Sequence, residues 1–273
     1  MQLSVSHDAT LYYDVVDLTP PWISNPQTIV FSHGVGTNSV IWHGWKPILA
    51  PFFRLVCLDT RGFGRSSRHG PGFPYSFDLW AGDILAVADV TGSEKFHLVG
   101  ESMAGAVAQH LAGSERGQRL LSLTTCTAPY RGADLPRVGD WKEQLHREGV
   151  AAWSAKMMEQ RFYPNAIADA QYRWFAEEQG KSDADTLLGL GNCLLETDLT
   201  EALKRIQIPA LILAADASPY VTPEIAAAMH RLIPHSNLQV IPNSRHGLPF
   251  SHGKECAEAL LAYLQRKGFT ALW

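Results

Sequence analysis

Short apolar runs alternate with amphipathic stretches along most of the chain, and this alternation predicts the fold. Nearly continuous apolar runs, which are typical of parallel strands covered on both faces, occupy residues 28–32, 54–58, 96–99 and 210–214. Apolar side chains recur every three or four positions, as in helices that bury one face, over residues 77–90, 103–112, 223–232 and 254–265. Strands and helices in repetition predict an α/β fold with a doubly wound, mostly parallel sheet. Ligands bind at the carboxyl ends of the strands in such sheets.

Two segments depart from this alternation. Residues 3–6 and 10–16 are β-prone and flank a short turn, which predicts an antiparallel hairpin near the N-terminus. Residues from about 130 to 200 carry helical patterns without a strand signal between them, which indicates an inserted helical lid. We therefore expect a core formed by residues 1–129 and 201–273, with a lid formed by residues 130–200.

Composition and charge narrow the range of partners. The chain has 273 residues, of which 46% are hydrophobic, enough for a large core without cross-links. A formal net charge of -4 without a basic cluster argues against nucleic acid or an anionic membrane as a partner. The cysteines are too scattered for a disulfide framework or a zinc finger, so we expect four buried thiols, at Cys57, Cys126, Cys193 and Cys256. We recognise no signal peptide and no apolar stretch of about 20 residues, and we expect a soluble, cytoplasmic protein.

A nucleophile elbow is the most informative motif. Residues 96–108 read FHLVGESMAGAVA, a strand that passes through a turn of small residues directly into a helix. Such a turn strains its central residue and needs small neighbours two positions away on either side, here Gly100 and Ala104. Ser102 is then a candidate nucleophile, exposed at the start of the helix. The motif ends in Ala104 where G-x-S-x-G has glycine, and Gly105 follows at once.

A serine nucleophile needs a general base, normally a histidine held by a carboxylate. In folds with a nucleophile elbow the acid follows a late strand and the histidine follows the last strand. Asp216 and His246 occupy these positions, so we predict Asp216 as the acid and His246 as the base. His252 competes with His246, and Asp198 competes with Asp216 although it lies in the predicted lid without a preceding strand.

The same chemistry requires an oxyanion hole, in which backbone N–H groups stabilise negative charge on the attacked carbonyl oxygen. Met103, the residue after the nucleophile, supplies one predicted donor. The loop at residues 32–38 (SHGVGTN) supplies the other. Within it we choose the N–H of Val35, because Gly34 and Gly36 allow the backbone to approach a ligand closely.

Taken together, these motifs resemble the α/β-hydrolase superfamily over the entire chain. They are H-G-x-G at residues 33–36, D-x-R-G-x-G-x-S at 59–66, G-x-S-M-A-G at 100–105, a late aspartate and a terminal histidine. The resemblance implies an eight-stranded, mostly parallel sheet with helices on both faces and a lid inserted after the sixth strand. It also implies a triad of Ser102, Asp216 and His246, with Val35 and Met103 as oxyanion donors.

Within the superfamily, the lid resembles that of β-ketoadipate enol-lactone hydrolases and of their lactonase and esterase relatives. Ala104 and the run at residues 247–252 depart from the pattern of those enzymes. An enol-lactonase also needs a cation for the carboxylate of its substrate, and the candidates are Arg131, Arg161 and Arg173. Large apolar side chains predict the substrate contacts, which we assign to Trp42, Trp141, Trp153, Met157, Phe162 and Trp174.

The sequence therefore predicts a serine hydrolase that cleaves a carboxylic ester or lactone with an apolar or aromatic portion, through an acyl-enzyme on Ser102. Two alternatives stay open: a carbon-carbon bond hydrolase acting on vinylogous diketones, and a ligand receptor of the same fold that turns over slowly. We expect a small-molecule substrate and neither a metal nor an organic cofactor, since no His, Asp, Glu or Cys cluster has ligand spacing. The oligomeric state does not follow from the sequence.

Overall fold

The molecule is built on one central sheet. The computed structural model describes residues 1–7 and 9–269, without the side chains of residues 136 and 137. Its eight strands lie in the order β1-β2-β4-β3-β5-β6-β7-β8. The strands are β1 Gln2–Ser6, β2 Ala9–Val16, β3 Thr28–Ser32, β4 Arg54–Leu58, β5 Phe96–Glu101, β6 Leu120–Cys126, β7 Ala210–Ala215 and β8 Ser236–Ile241. Strand β2 pairs antiparallel with β1 and β4, and the remaining neighbours are parallel. This confirms the predicted mostly parallel eight-stranded sheet and the N-terminal hairpin.

Helices cover both faces of the sheet. They are α1 Lys46–Leu49, α2 Phe77–Val90, α3 Met103–Ala112, α4 Pro136–Gly139, α5 Trp141–Arg161, α6 Asp169–Gly180, α7 Ala184–Leu195, α8 Thr200–Lys204, α9 Pro223–Leu232, α10 Leu248–Ser251 and α11 Gly253–Arg266. Successive side chains of a strand point to opposite faces, so Val30 of β3 joins the core cluster with α2 and α3. Its neighbours Ile29 and Phe31 join the cluster with α1 and α11. Two separate apolar cores thus hold the sheet from both sides.

The segment between β6 and β7 is helical, where the sequence predicts a lid. Its two ends are joined by backbone hydrogen bonds from Leu199 N to Tyr130 O and from Gly132 N to Thr197 O, both 2.8 Å long. Helix α5 is broken at Gly149, whose φ of 76° and ψ of 177° lie outside the helical range. The segment therefore leaves and re-enters the core through one narrow neck. The boundaries at residues 129/130 and 200/201 remain predictions.

Local sequence signals fixed most element boundaries. The predicted helices 77–90, 103–112 and 223–232 are found unchanged, and the last helix begins one residue earlier than predicted. Apolar periodicity did not single out β6. All four cysteines are free, and three of them are buried while Cys193 is partly exposed. No helix in the described part of the chain is both long and apolar enough to cross a membrane.

Candidate active site

Ser102 sits in a sharp turn between β5 and α3. Its backbone has φ 53° and ψ -122°, a conformation that a residue with a Cβ adopts only under strain. The turn is crowded, because a Cβ on Gly100 would lie 2.6 Å from the carbonyl oxygen of Ala104. A Cβ on Gly105 would lie 2.3 Å from the Cβ of Ala128, whereas Ala104 itself fits. The elbow predicted from the sequence is therefore present, and it needs its glycines at positions 100 and 105.

Ser102 and His246 meet above the carboxyl ends of the strands. The Oγ of Ser102 lies 2.9 Å from the Nε2 of His246, within hydrogen-bond range. His246 follows β8 and is held by its own backbone, whose N–H donates to Gln160 O at 3.4 Å and whose carbonyl accepts from the Thr127 hydroxyl at 3.2 Å. The structure thus brings together the predicted nucleophile and base, which are 144 residues apart in the chain.

Asp216 does not reach His246, so the structure corrects the prediction that this residue is the acid. The first residue after β7, Asp216 is exposed, and its carboxylate accepts from the backbone N–H groups of Asn243 at 2.8 Å and Ser244 at 2.9 Å. These bonds pin the turn that follows β8. The side chain therefore holds the loop that carries His246 and leaves the imidazole to another partner.

That partner is the hydroxyl of Ser218, two residues further along the same loop. Its Oγ lies 3.1 Å from the Nδ1 of His246, and the side chain is almost fully buried. The described contacts of the site form a chain from Ser102 through His246 to Ser218. A hydroxyl therefore stands where the sequence predicted a carboxylate.

The two competing residues serve elsewhere. The carboxylate of Asp198 accepts from the backbone N–H and the hydroxyl of Thr200, at 2.9 and 2.6 Å, and so caps the start of α8. His252 precedes α11, and its Nδ1 lies 2.9 Å from the Ser251 hydroxyl. Neither of them has a described contact with Ser102 or His246.

A buried ion pair holds the loop that contains Val35. Glu101 Oε2 accepts from the backbone N–H of Gly34 at 2.6 Å. Arg161, the last residue of α5, donates from one terminal nitrogen to the carbonyl oxygen of Val35 at 2.7 Å and from the other to Glu101 at 3.5 Å. Its Nε donates to Gln179 at 2.8 Å. Residues of β5 and of the helical segment between β6 and β7 therefore both hold the loop that contains Val35.

The oxyanion donors predicted from the sequence flank the nucleophile. Val35 and Met103 both line the cavity that contains Ser102 and His246. Met103 is the first residue of α3, and the N–H groups of a first helical turn have no acceptor within the helix. This arrangement is what stabilisation of a developing oxyanion needs, and the roles of the two N–H groups remain predictions.

Burial makes His246 a neutral, weakly basic imidazole. Desolvation, assisted by the nearby Arg161 guanidinium, lowers the pKa of His246 to about 3. Both effects disfavour the charged form. His246 is therefore unprotonated across the neutral pH range and can accept a proton. Because its pKa is low, the protonated ring is readily deprotonated again.

The cavity above Ser102 has mainly apolar walls. Of the predicted substrate contacts, Trp141 and Met157 line it. The other four are absent from its described lining and pack against other aromatic rings: Trp42 against Phe31 and Trp45, Trp153 against Trp141, Phe162 against Phe175, and the partly buried Trp174 against Phe250. For these four, packing between helices is the better explanation of the large apolar side chain.

Several cavity residues were missed by the sequence reasoning. They come from the start of the lid, from α7 and from the loop after β7: Pro129, Leu135, Val138, Leu194, Tyr220 and Val221. Of these residues, only Tyr220 and Val221 lie close in sequence to the predicted acid Asp216, and only their position could have indicated a site. Among the three arginines proposed for a substrate carboxylate, Arg161 lines the cavity, Arg131 pairs with Asp134, and Arg173 is exposed.

Comparison with known proteins places the chain in a family. A family model described as alpha/beta hydrolase fold matches residues 27–253. The chain therefore belongs to the α/β hydrolase fold family, and it is a hydrolase.

Relatives agree with the resemblance found in the sequence. 3-Oxoadipate enol-lactonase 2 of Acinetobacter baylyi is 27% identical over 239 residues, which cover 83% of this chain and 86% of the relative. A pimeloyl-[acyl-carrier protein] methyl ester esterase of Aeromonas hydrophila is 28% identical and covers 85% and 93%. Among solved structures, the enol-lactonase from Burkholderia xenovorans superposes with a TM-score of 0.84 at 19% identity, over 96% and 99% of the two chains. That structure shares the fold.

Proposed function

We propose that this chain is a serine hydrolase that cleaves a carboxylic ester or lactone through an acyl-enzyme on Ser102. The observation that supports it most is the 2.9 Å contact between Ser102 Oγ and His246 Nε2 in the lining of a mostly apolar cavity. A serine hydroxyl becomes an effective nucleophile when an adjacent base takes its proton. The elbow and the histidine together supply this pair.

The reaction proceeds in two halves. Ser102 Oγ attacks the carbonyl carbon while its proton moves to His246 Nε2, and the N–H groups of Val35 and Met103 donate to the oxygen that becomes negative. The bond to the leaving oxygen then breaks, and that oxygen takes the proton from Nε2. Water attacks the acyl-enzyme with the same base and releases the acid and the free serine.

The walls of the cavity favour an apolar or aromatic substrate portion. Leu135, Val138 and Leu194 contribute hydrocarbon, and Trp141 contributes an aromatic face. Among the described lining residues Arg161 carries a positive charge, but its guanidinium already donates to Glu101, Gln179 and Val35. Its positive charge is thus matched inside the protein, which favours uncharged groups over a second carboxylate in the substrate.

A product and turnover assay tests the function against its alternatives. With p-nitrophenyl butyrate and a phenyl-substituted lactone we expect many turnovers per enzyme, and an acid-quenched reaction should carry the butyryl group on the peptide that contains Ser102. A single turnover would support the receptor alternative. Cleavage of a vinylogous diketone between carbon atoms, without ester or lactone hydrolysis, would support the carbon-carbon hydrolase.

Arg161 should affect catalysis although it lies outside the proton relay. Replacing Arg161 with Met removes the donor to the Val35 carbonyl, so the loop that carries the Val35 N–H loses one of its anchoring hydrogen bonds. We expect kcat for p-nitrophenyl butyrate to fall roughly 10- to 100-fold, less than the 10²- to 10³-fold cost of losing an oxyanion donor outright. The change also leaves Glu101 buried and unpaired, which costs about 3–5 kcal/mol of stability.

The double variant Glu101→Gln/Arg161→Met separates the two effects. It removes both charges, so the melting temperature should recover relative to Arg161→Met while kcat stays low. Arg205→Met is a matched control, because Arg205 also donates to a backbone carbonyl, that of Gly113, away from the cavity. Wild-type kcat in the double variant would contradict the positioning role of Arg161.

A further inference from the structure

Two backbone N–H groups and one imidazole nitrogen converge on the hydroxyl of Ser218. The backbone N–H of Val221 lies 3.1 Å from Oγ, that of Tyr220 lies 3.4 Å away, and Nδ1 of His246 lies 3.1 Å away. A serine oxygen offers two lone pairs and one proton of its own. A carboxylate, with about four acceptor sites and no proton, could accept from both N–H groups and from Nδ1–H at once. The surroundings of Ser218 therefore suit an acceptor stronger than the residue that occupies them.

The proton of Ser218 makes two arrangements of the histidine possible. If Ser218 accepts from Nδ1–H, then Nε2 is free to take the proton of Ser102. If Ser218 instead donates to Nδ1, then Nε2 carries the proton and cannot act as a base. A carboxylate cannot donate, so it would fix the productive tautomer, whereas a hydroxyl permits both.

We propose that Ser218 is the third member of the catalytic chain, a positioning residue that orients His246 without charge, and that this restricts the enzyme to activated esters such as aryl and enol esters. The proposal rests on the serine hydrolase function proposed above. It concerns which substrates that hydrolase accepts and how fast it turns them over.

The charges around His246 also disfavour its protonated form. Arg161 of α5 faces the imidazole with a positive charge, and its partner Glu101 at the end of β5 is engaged with Arg161 and Gly34. From the loop after β7, the ring of Tyr220 lies 4.9 Å from the ring of His246. The carboxylate of Asp216 is held by the turn after β8. The described contacts of the ring thus include no negative charge that would stabilise an imidazolium.

Leaving groups differ in how much they depend on that imidazolium. When Ser102 attacks, its proton passes to His246, and a neutral hydroxyl stabilises the charged ring less than a carboxylate, whose negative charge favours the charged form. An aryl or enol oxygen departs as a stabilised anion and needs little proton transfer. An alkoxide needs the proton before it can leave. An enzyme whose imidazolium is poorly stabilised should therefore hydrolyse alkyl esters more slowly than aryl or enol esters.

Replacing Ser218 with Asp tests the proposal, and Ser218→Asn is its matched control. Asp and Asn are nearly equal in size, so only Asp adds the charge. We expect Ser218→Asp to raise kcat for ethyl butyrate at least about tenfold, part of the roughly 10⁴-fold that a triad carboxylate contributes elsewhere. The gain for p-nitrophenyl butyrate should be smaller. Ser218→Asn should gain nothing on either ester.

The pH profile gives a readout that packing alone would not change. An ionised Asp at position 218 would raise the pKa of His246 above its present value of about 3, because a negative charge favours the imidazolium. A protonated Asp would not raise this pKa. The base is active when unprotonated, so the acid limb of kcat/KM should move to higher pH in Ser218→Asp. In the wild type and in Ser218→Asn, kcat/KM should stay flat down to about pH 5, well above the pKa of the ring.

The outcomes separate this proposal from the proposed function. If Ser218→Asp folds with a wild-type melting temperature and is no faster than Ser218→Asn on ethyl butyrate, the role of Ser218 is refuted while the serine hydrolase stands. If Ser218→Asp does not fold, Ser218→Ala tests the proposal instead. Loss of the hydrogen bond to His246 should lower kcat with little change in KM. Wild-type kcat in Ser218→Ala would overturn the proposal. Activity that does not depend on Ser102 would instead overturn the function itself.

Discussion

Ser102→Ala should lower kcat for p-nitrophenyl butyrate by at least about 10²-fold, with little change in KM. A complete serine triad contributes about 10⁶-fold to kcat, and its carboxylate accounts for about 10⁴-fold of that. A serine and histidine pair without the carboxylate is therefore worth at least about 10²-fold, and a hydrogen bond that Ser218 accepts from His246 Nδ1–H adds to this value. Steady-state kinetics on purified enzyme, with active-site titration of the wild type, measure the difference.

The strained backbone of the elbow makes Ala the appropriate replacement. Ala keeps the Cβ at φ 53°, so the variant retains the local strain and should melt at the wild-type temperature. Ser114→Ala provides a control for removing a hydroxyl from the same helical region, since Ser114 Oγ donates to Leu111 O at 2.8 Å after the end of α3. Most of the activity surviving in Ser102→Ala would exclude this residue as the nucleophile.

His246→Ala should cause a loss of similar size, because nucleophile and base act as one unit. Without the imidazole, the hydroxyl of Ser102 keeps its proton and attacks slowly at neutral pH. We expect kcat to fall by at least about 10²-fold on the same substrate. His110→Ala, which removes a ring that pairs with Asp78 on the outer side of α3, should leave kcat unchanged.

The double variant Ser102→Ala/His246→Ala provides the sharper measurement. Residues that act as a unit are strongly non-additive, so the double variant should be no slower than either single variant. Multiplicative losses would mean that the two side chains contribute independently. Such a result would contradict the proton transfer inferred from their 2.9 Å contact.

The sequence could predict Ser102 and His246 because each is bound to a regular element. The elbow is a strand, a turn and a helix in direct succession, and the histidine follows the last strand of the sheet. Parallel strands end at one edge, so their carboxyl ends bring distant residues together without further information. The same logic located the loop that contains Val35.

The role of Ser218 could not be predicted in this way. The path of the loop after β7 depends on two backbone hydrogen bonds that Asp216 accepts from the next loop, and no local pattern encodes them. Reasoning from residue types also favoured a carboxylate, since serine is common and uncharged. The first acidic residue after the strand, Asp216, lies two positions before Ser218, the residue that contacts His246.

The lining of the cavity was hard to predict for a different reason. Helical periodicity shows which side chains share a face of a helix. It does not show whether that face packs against another helix or lines a cavity. The lid aromatics Trp153, Phe162 and Trp174 turn inward to other aromatic rings, whereas Trp141 faces the cavity. The break at Gly149 separates Trp141 from the second half of α5, so one periodic pattern covers two helices of different orientation.

The two halves of α5, before and after Gly149, contact different parts of the site. Residues before Gly149 supply Trp141 to the cavity lining, whereas residues after it supply Gln160 and Arg161, which contact the His246 N–H and the Val35 carbonyl. Changes in the first half can therefore reshape selectivity while the machinery of bond cleavage stays intact. Directed evolution confined to residues 141–148 should yield altered substrate ranges at nearly constant turnover of a small reference ester.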